Sequence, residues 1–199
     1  LLNHNHPNEI EKSYIQQIRK LDHYIDQILY YVRSENASRD YLIQEKDLKE
    51  IIKNVALKEK DDLLENDVKL EVNVGRIKVL TDAKWLEFIL SQIINNSIKY
   101  QRIDVASEIK IEAKVNGDKI FLSILDNGIG IPEGDIPRVF EKSFTGSNGR
   151  LRAKSTGMGL YIAKKLCEKL GHKIKIESKI GEYTKVIIIF PDNDFYRMK

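Results

Sequence analysis

The sequence is poor in the residues that staple a fold or span a membrane. Of 199 residues, one is cysteine (Cys167), one is tryptophan and four are proline. A single thiol excludes an internal disulfide framework and any zinc site of clustered cysteines; it suits a reducing compartment and reads as cytoplasmic. No apolar run approaches the roughly 18 residues a spanning helix needs, and the longest, Val186 to Phe190, has the length of a strand. A field of one sign is missing too: 33 Lys and Arg are interleaved with 30 Asp and Glu for a net +3, which argues against nucleic acid as a partner. There is neither an initial Met nor a signal-peptide pattern, so the sequence reads as an excised piece of something longer. What is present is globular, 42% apolar and 32% charged. At roughly 100 to 200 residues per domain, that allows one full domain with its own core plus a small accessory piece.

The accessory piece comes first. Ile10, Tyr14, Ile18, Leu21, Ile25, Ile28 and Val32 recur at spacings of three and four, which predicts a long helix presenting one narrow seam to a partner helix. The polar cluster from Ser34 to Asp40 then reads as a linker, giving a helical segment over 1–40 and a larger domain over 41–199. In that domain, Asp47 followed by Glu50 starts a helix with Leu48, Ile51, Ile52 and Val55. Two short alternating strands follow, Val68 to Val72 and Ile77 to Val79, then a helix from near Asp82 carrying Trp85, Leu86, Ile89 and Ile93. Two alternating runs, Ile109 to Val115 and Ile120 to Ile124, are joined by Asn116-Gly117-Asp118, a strong hairpin signal. A glycine-rich stretch from Asp126 to Gly159 leads into a helix reaching Leu170, and strands near 174–177 and 184–190 close the chain around Gly181. This order predicts an α+β fold with a mixed, mostly antiparallel sheet and helices on one face.

Three clusters carry chemistry. In Gln92-Ile93-Ile94-Asn95-Asn96-Ser97-Ile98-Lys99-Tyr100, Asn96 follows Ile89 and Ile93 by seven and three residues, which places it on the buried stripe with Lys99 and Tyr100 one turn further on. An amide oxygen beside an ammonium suits a metal-bound polyphosphate; a satisfied core amide with a snorkelling lysine is the plainer alternative. In Asp126-Asn127-Gly128-Ile129-Gly130-Ile131-Pro132, a carboxylate at a strand end can accept from an exocyclic amine, and Gly128 and Gly130 let the backbone approach a flat ligand. A tight turn explains the same residues. Ser155-Thr156-Gly157-Met158-Gly159-Leu160 opens a helix, so N–H groups at Gly157 and Gly159 can meet a phosphate, or the helix is merely Ser/Thr-capped. Between the second and third clusters, Phe140-Glu141-Lys142-Ser143-Phe144 precedes a stretch of little periodicity bearing Arg150, Arg152 and Lys154. It reads as a lid over a polyphosphate, with Lys142 and Arg150 among the candidate phosphate contacts, or as a solvated surface excursion.

In this order, the Asn-containing helix, Asp-Asn-Gly-Ile-Gly-Ile-Pro, Phe-Glu-Lys-Ser-Phe and Ser-Thr-Gly-Met-Gly-Leu resemble the N, G1, F and G2 boxes of sensor histidine kinases. The resemblance covers about residues 41–191 and implies the ATP-binding α/β sandwich shared with Hsp90 and gyrase B. By position it implies ATP and Mg2+ as cofactors, Asn96 as the magnesium ligand, Lys99 and Tyr100 as nucleotide contacts, and Asp126 as the reader of adenine. It further implies Gly128 and Gly130 around the base, Gly157 and Gly159 along the phosphates, and Thr184 behind the base; Glu182 and Tyr183 stand where a second glycine is usual. Leu21 to Arg33 is similar to the second helix of the dimerisation hairpin, particularly in intramembrane-sensing kinases that answer peptide antibiotics of the bacitracin type, and Phe144 to Arg150 points the same way. That likeness implies a homodimer through the hairpin, a response-regulator receiver domain as partner, a peptide-antibiotic ABC transporter as another, and a full-length protein held in the cell membrane by upstream segments. One element is missing: His4, His6, His23 and His172 are not followed by the acidic residue of a phospho-acceptor box. The expectation is therefore a fragment that binds ATP without phosphorylating itself. The related ATP-driven clamps use a Glu four residues before the Asn; here that residue is Gln92, which cannot serve as a base. A dimerisation module with a vestigial site is the third alternative.

Overall fold

The structure, a computed structural model, describes residues 9–35, 41–146 and 156–191. The chain divides into two compact units, Leu1–Ser38 and Arg39–Lys199. The first contains one long helix, α1 (Glu9–Glu35). Its seam is bare: all seven seam residues are solvent-exposed, from 48% at Val32 to 66% at Tyr14.

The second unit runs β1 (Gln44–Asp47), α2 (Leu48–Lys58), α3 (Lys60–Glu65), β2 (Val68–Asn73), β3 (Lys78–Thr81), α4 (Ala83–Lys99), β4 (Ser107–Asn116), β5 (Lys119–Asp126), a 3-10 turn at Ile136–Arg138, α5 (Gly159–Lys169), β6 (Lys173–Lys179) and β7 (Tyr183–Phe190). Five strands form one sheet in the order β2-β4-β5-β7-β6; β2 and β4 are parallel and the other neighbours antiparallel. The α+β expectation holds, with α4 packed between α2 and α5. Alternate residues of the central strands are buried, among them Ile109, Ile111, Leu122, Ile124, Val186 and Ile188, and the helices supply Ile52, Trp85, Ile89, Ile93, Ile162 and Leu166.

Local chemistry sets the helix starts. Asp47 caps α2, its carboxylate accepting from the N–H of Lys49 at 2.9 Å. Asp82 caps α4 by accepting from the N–H of Trp85 at 3.0 Å, and its other oxygen takes the N–H of Leu42 at 2.8 Å. The β4–β5 hairpin closes on Asn116 opposite Lys119, with Gly117 at φ 57 as the first of two loop residues, where a type II′ turn takes glycine. Two elements depart from expectation. β1 is a polar Gln-Glu-Lys-Asp stretch with no alternation, and it pairs with β3 in a separate two-stranded sheet, so the 77–79 run is not part of the main sheet. α3 follows α2 almost directly as a second short helix. Beneath the sheet end, His172 is buried; Nε2 lies 2.9 Å from the Thr81 hydroxyl, and its ring meets Phe190 edge-on at 4.6 Å. Burial lowers its pKa to about 3, so the imidazole is neutral.

Candidate functional site

The site is built around the last turns of α4. That helix is almost wholly buried from Phe88 to Ile94, then opens: Asn95, Asn96, Lys99 and Tyr100 are half-buried, while Ser97 and Ile98 stay inside. Asn96 is therefore beside the buried stripe and not on it. Four residues advance a helix by a full turn and a little, whereas three fall short, so Ser97 is the residue that continues the line of Ile89 and Ile93 into the core. Among the described residues, the Asn96 side-chain amide makes no hydrogen bond and Lys99 forms no ion pair. The Lys99 ammonium sits 5.3 Å from the Tyr100 ring centroid, and desolvation lowers its pKa. A half-buried ammonium without a carboxylate is poorly compensated until an anion arrives.

Asp126 ends β5 and is 9% exposed. Its Oδ2 accepts from the Ser97 hydroxyl at 2.8 Å and its Oδ1 from the N–H of Gly128 at 3.0 Å, and Thr184 lies opposite it in the β5–β7 register. Desolvation nevertheless raises its pKa, these donors opposing the shift only in part. Ser97 also lies 3.2 Å from the Ile93 carbonyl, but a hydroxyl has one proton and the shorter contact to a carboxylate claims it. Asp126 is thus an acceptor held in place by two donors inside the fold, one on each oxygen. Asn127 serves the neighbouring edge, accepting from the N–H of Glu108 at 2.9 Å and donating to the Ala106 carbonyl at 2.8 Å.

The loop after Asp126 is stitched to both flanks. Ile129 donates its N–H to the Tyr100 carbonyl at 2.9 Å and accepts from the N–H of Gly181 at 2.7 Å; Ile131 donates to the Ser178 hydroxyl at 2.9 Å. That serine donates to the Tyr183 carbonyl at 2.6 Å and lies 3.1 Å from the Thr184 hydroxyl. Both glycines are required by this stitching. A Cβ on Gly128 would stand 2.6 Å from the Tyr100 carbonyl oxygen, and one on Gly130 (φ 68) would run into the Lys179 carbonyl. Close approach is the reason for glycine here, as the sequence suggested, but the surface approached is the protein's own backbone.

A second group forms at the start of α5. Gly157 (φ 63) lies so close to Ser143 and Phe144 that an added Cβ would meet Ser143 carbon at 2.5 Å, and the N–H of Ser143 donates to the Gly157 carbonyl at 3.1 Å. The Phe140–Phe144 segment is thereby seated on the turn entering α5. It is braced by Arg138 over the Phe144 ring at 4.5 Å and by Lys164 over Phe140 at 5.6 Å. Met158, at the N-cap position, makes no side-chain cap, but the Thr156 hydroxyl accepts from the Met158 N–H at 3.3 Å, so a Ser/Thr contribution to this helix start stands beside the anion-site reading; Gly159 is the first helical residue. Lys142 is exposed beside this group. Arg150, Arg152 and Lys154 lie outside the described residues. The packing of α4 on α5 connects the two groups. Ser97 and Ser178 escaped the sequence reading; only Ser97 carried a signal, as a polar residue on the apolar stripe.

A family model described as histidine kinase-, DNA gyrase B-, and HSP90-like ATPase matches residues 81–194, the span from β3 through β7 that contains this site. The chain belongs to that family. Its relatives include the sensor histidine kinase YxdK of Bacillus subtilis (strain 168), 33% identical over 176 residues, 88% of this chain and 54% of that protein. Sensor protein BceS of the same organism is 42% identical over 125 residues, 63% of this chain and 35% of that protein. Among solved structures, histidine kinase ThkA in complex with response regulator protein TrrA superposes with a TM-score of 0.69 over 96% of this chain and 54% of that one, at 21% identity, which speaks for the fold. The chain spans about half the length of the curated relatives it matches. The kinase resemblance read from the boxes is borne out: this ATPase-family chain carries the ATP-binding catalytic domain of sensor histidine kinases.

Proposed function

We propose that this domain binds MgATP and donates the γ-phosphoryl to a histidine of a dimeric helical hairpin, from which it passes to an aspartate of a response-regulator receiver domain. The observation that carries this reading is Asp126, a desolvated acceptor fixed by Ser97 and Gly128, on a loop tied to the helix end that bears Asn96, Lys99 and Tyr100. In this reading Asp126 accepts from the adenine amine, with Gly128, Gly130 and Thr184 shaping the wall behind the base. Lys99 and Tyr100 meet the phosphates, and Lys142, Arg150 and the turn at Gly157 and Gly159 complete their enclosure.

The residues fit magnesium in one respect that matters. Among the described residues, no group of three or more His, Cys, Asp or Glu is placed to hold a metal. Magnesium prefers one or two protein oxygens completed by phosphate oxygens and water, and the unbonded amide of Asn96 offers such an oxygen. When bound, the ion would neutralise charge on the phosphates; the protein's part is to position and to exclude water. Gln92, buried in α4, has no basic oxygen for activating water, which favours transfer over hydrolysis.

The exposed α1 seam supports pairing with helices of a second copy, with α1 as the second helix of the hairpin. None of the four histidines sits in an acceptor box, so we assign the acceptor to a residue outside this sequence. The ThkA–TrrA complex supports a receiver domain as partner. The resemblance to peptide-antibiotic kinases supports a full-length membrane protein working with an ABC transporter; among the described residues, no helix is long and apolar enough to cross a membrane.

The test is calorimetry with ATP, with and without Mg2+, followed by incubation with γ-labelled ATP and a separately supplied dimeric hairpin. Magnesium-dependent binding and acid-labile label on the hairpin, none on this chain, are expected. No ATP binding, or stable label on His4, His6, His23 or His172, would overturn the reading.

A further inference from the structure

The loop that follows Asp126 is also locked from the side of Arg102. Arg102 lies two residues beyond the Tyr100 end of α4. Its Nη1 donates to the Gly181 carbonyl at 2.6 Å, its Nε donates to Asp104 Oδ1 at 2.9 Å, and its Nη2 pairs with the other Asp104 oxygen. The amide of Gly181 in turn donates to Ile129, and Ile129 to the carbonyl of Tyr100. These bonds close a circuit: Tyr100, Ile129, Gly181, Arg102, and back along two residues of chain to Tyr100. Three segments that are far apart in sequence are thereby joined at one rim: the Asp126 loop and the strand after Gly181 carry the residues assigned to the base, and the α4 end carries those assigned to the phosphates.

We infer that Arg102 is a positioning residue for the adenine pocket, a strut whose fork, held flat by Asp104, pins the β6–β7 turn against the Asp126 loop. The inference rests on the ATP-binding reading of the site. A guanidinium suits the task because it is planar and can satisfy a carboxylate with two N–H groups while a third reaches a carbonyl; an ammonium cannot hold that geometry. Without the strut, the Gly181 carbonyl is released, the tip of the turn keeps only its N–H bond to Ile129 while Ile131 and Ser178 hold its foot, and the wall behind the base loosens. The consequence falls on base discrimination, because a pocket rejects the wrong base only as firmly as its walls hold their places.

Arg102→Lys and Arg102→Ala test this by three readouts: thermal midpoint, amide hydrogen exchange without nucleotide, and calorimetric affinity for ATP, GTP and inorganic tripolyphosphate. The strut predicts faster exchange at the Gly181 and Ile129 amides in both variants. It also predicts roughly tenfold weaker ATP binding, the scale of one lost charge-assisted hydrogen bond, with a smaller ATP-to-GTP preference and unchanged tripolyphosphate binding. Wild-type ATP affinity in the Lys variant would overturn the strut, showing that charge alone suffices, and so would an unchanged ATP-to-GTP preference in both. If the Ala variant fails to fold, the Lys variant decides. Exchange does not depend on ligand: unaltered Gly181 and Ile129 amides refute the strut even where ATP binds, whereas wild-type protein that binds no ATP refutes the functional reading itself and the pocket role with it.

Discussion

Replacing Asp126 by Asn separates a residue that reads a ligand from one that holds the fold, because the structure can absorb the change. An Asn with its carbonyl oxygen in the Oδ1 place keeps the bond from the Gly128 N–H, now 3.0 Å. Its amide nitrogen takes the Oδ2 place and donates to Ser97, whose own proton turns to the Ile93 carbonyl already 3.2 Å away. What is lost is charge assistance, and what is gained is relief from a desolvated carboxylate. These oppose one another, so stability changes by no more than about 1 kcal/mol, a midpoint shift of about 4 °C or less at this size. The sign depends on pH. Because the folded pKa of Asp126 lies above its unfolded value, the protonated acid favours the fold at low pH, and that contribution disappears as pH rises through the folded pKa; at neutral pH the Asn variant should equal or exceed wild type in stability. Binding behaves differently. One of two acceptor oxygens becomes a donor, and losing a hydrogen bond to a charged group costs about 1.5 to 3 kcal/mol, or roughly 10- to 150-fold in ATP affinity. Calorimetry at neutral pH, with thermal melts of both proteins, reads the two effects apart. Wild-type affinity should also fall on acidification at a pH above the usual aspartate value of 3.8, a step the variant lacks. ATP affinity within twofold of wild type, or a midpoint lowered by more than about 8 °C, would refute the reasoning and make Asp126 a structural acid.

Asn96→Ala should leave the melting midpoint within about 2 °C, since the amide bonds to nothing among the described residues, while removing the magnesium dependence of ATP binding; retained dependence in calorimetry would move the metal ligand elsewhere. His172 is neutral in the fold with a pKa of about 3, against about 6.5 when unfolded. The unfolded chain therefore takes up a proton that the folded one refuses, and stability falls as pH drops below 6.5, by up to about 1.4 kcal/mol per unit. His172→Gln, which can still meet the Thr81 hydroxyl, should flatten this slope in urea melts between pH 6.5 and 4, and equal slopes would contradict it.

How much was legible depended on how local the cause was. Asp47 and Asp82 announced α2 and α4 because a cap acts on N–H groups two or three residues away. The alternation around Gly117 announced the β4–β5 hairpin for a similar reason. β1 was illegible because Gln44 to Asp47 has no apolar alternation and is a strand only through its pairing with Lys78 to Thr81. Asn96, Lys99 and Tyr100 were singled out by type and spacing, yet their accessibility follows from where the core ends, which left Ser97 inside and Asn96 beside it.

The sequence by itself determined the kind of protein this is: one lone cysteine, no spanning run, a helix with one apolar seam, and four boxes in an order that the match over residues 81–194 bears out. Those properties are written in residue type and short spacing, and they survive without any knowledge of contacts. Tertiary structure alone decided that Asp126 is desolvated, that Ser97 across 29 residues orients it, that Gly128 and Gly130 yield to the protein's own backbone, and that Arg102 reaches Gly181 across 79 residues. Desolvation and long-range hydrogen bonds depend on which groups the fold brings together, and separation along the chain carries no signature of that encounter.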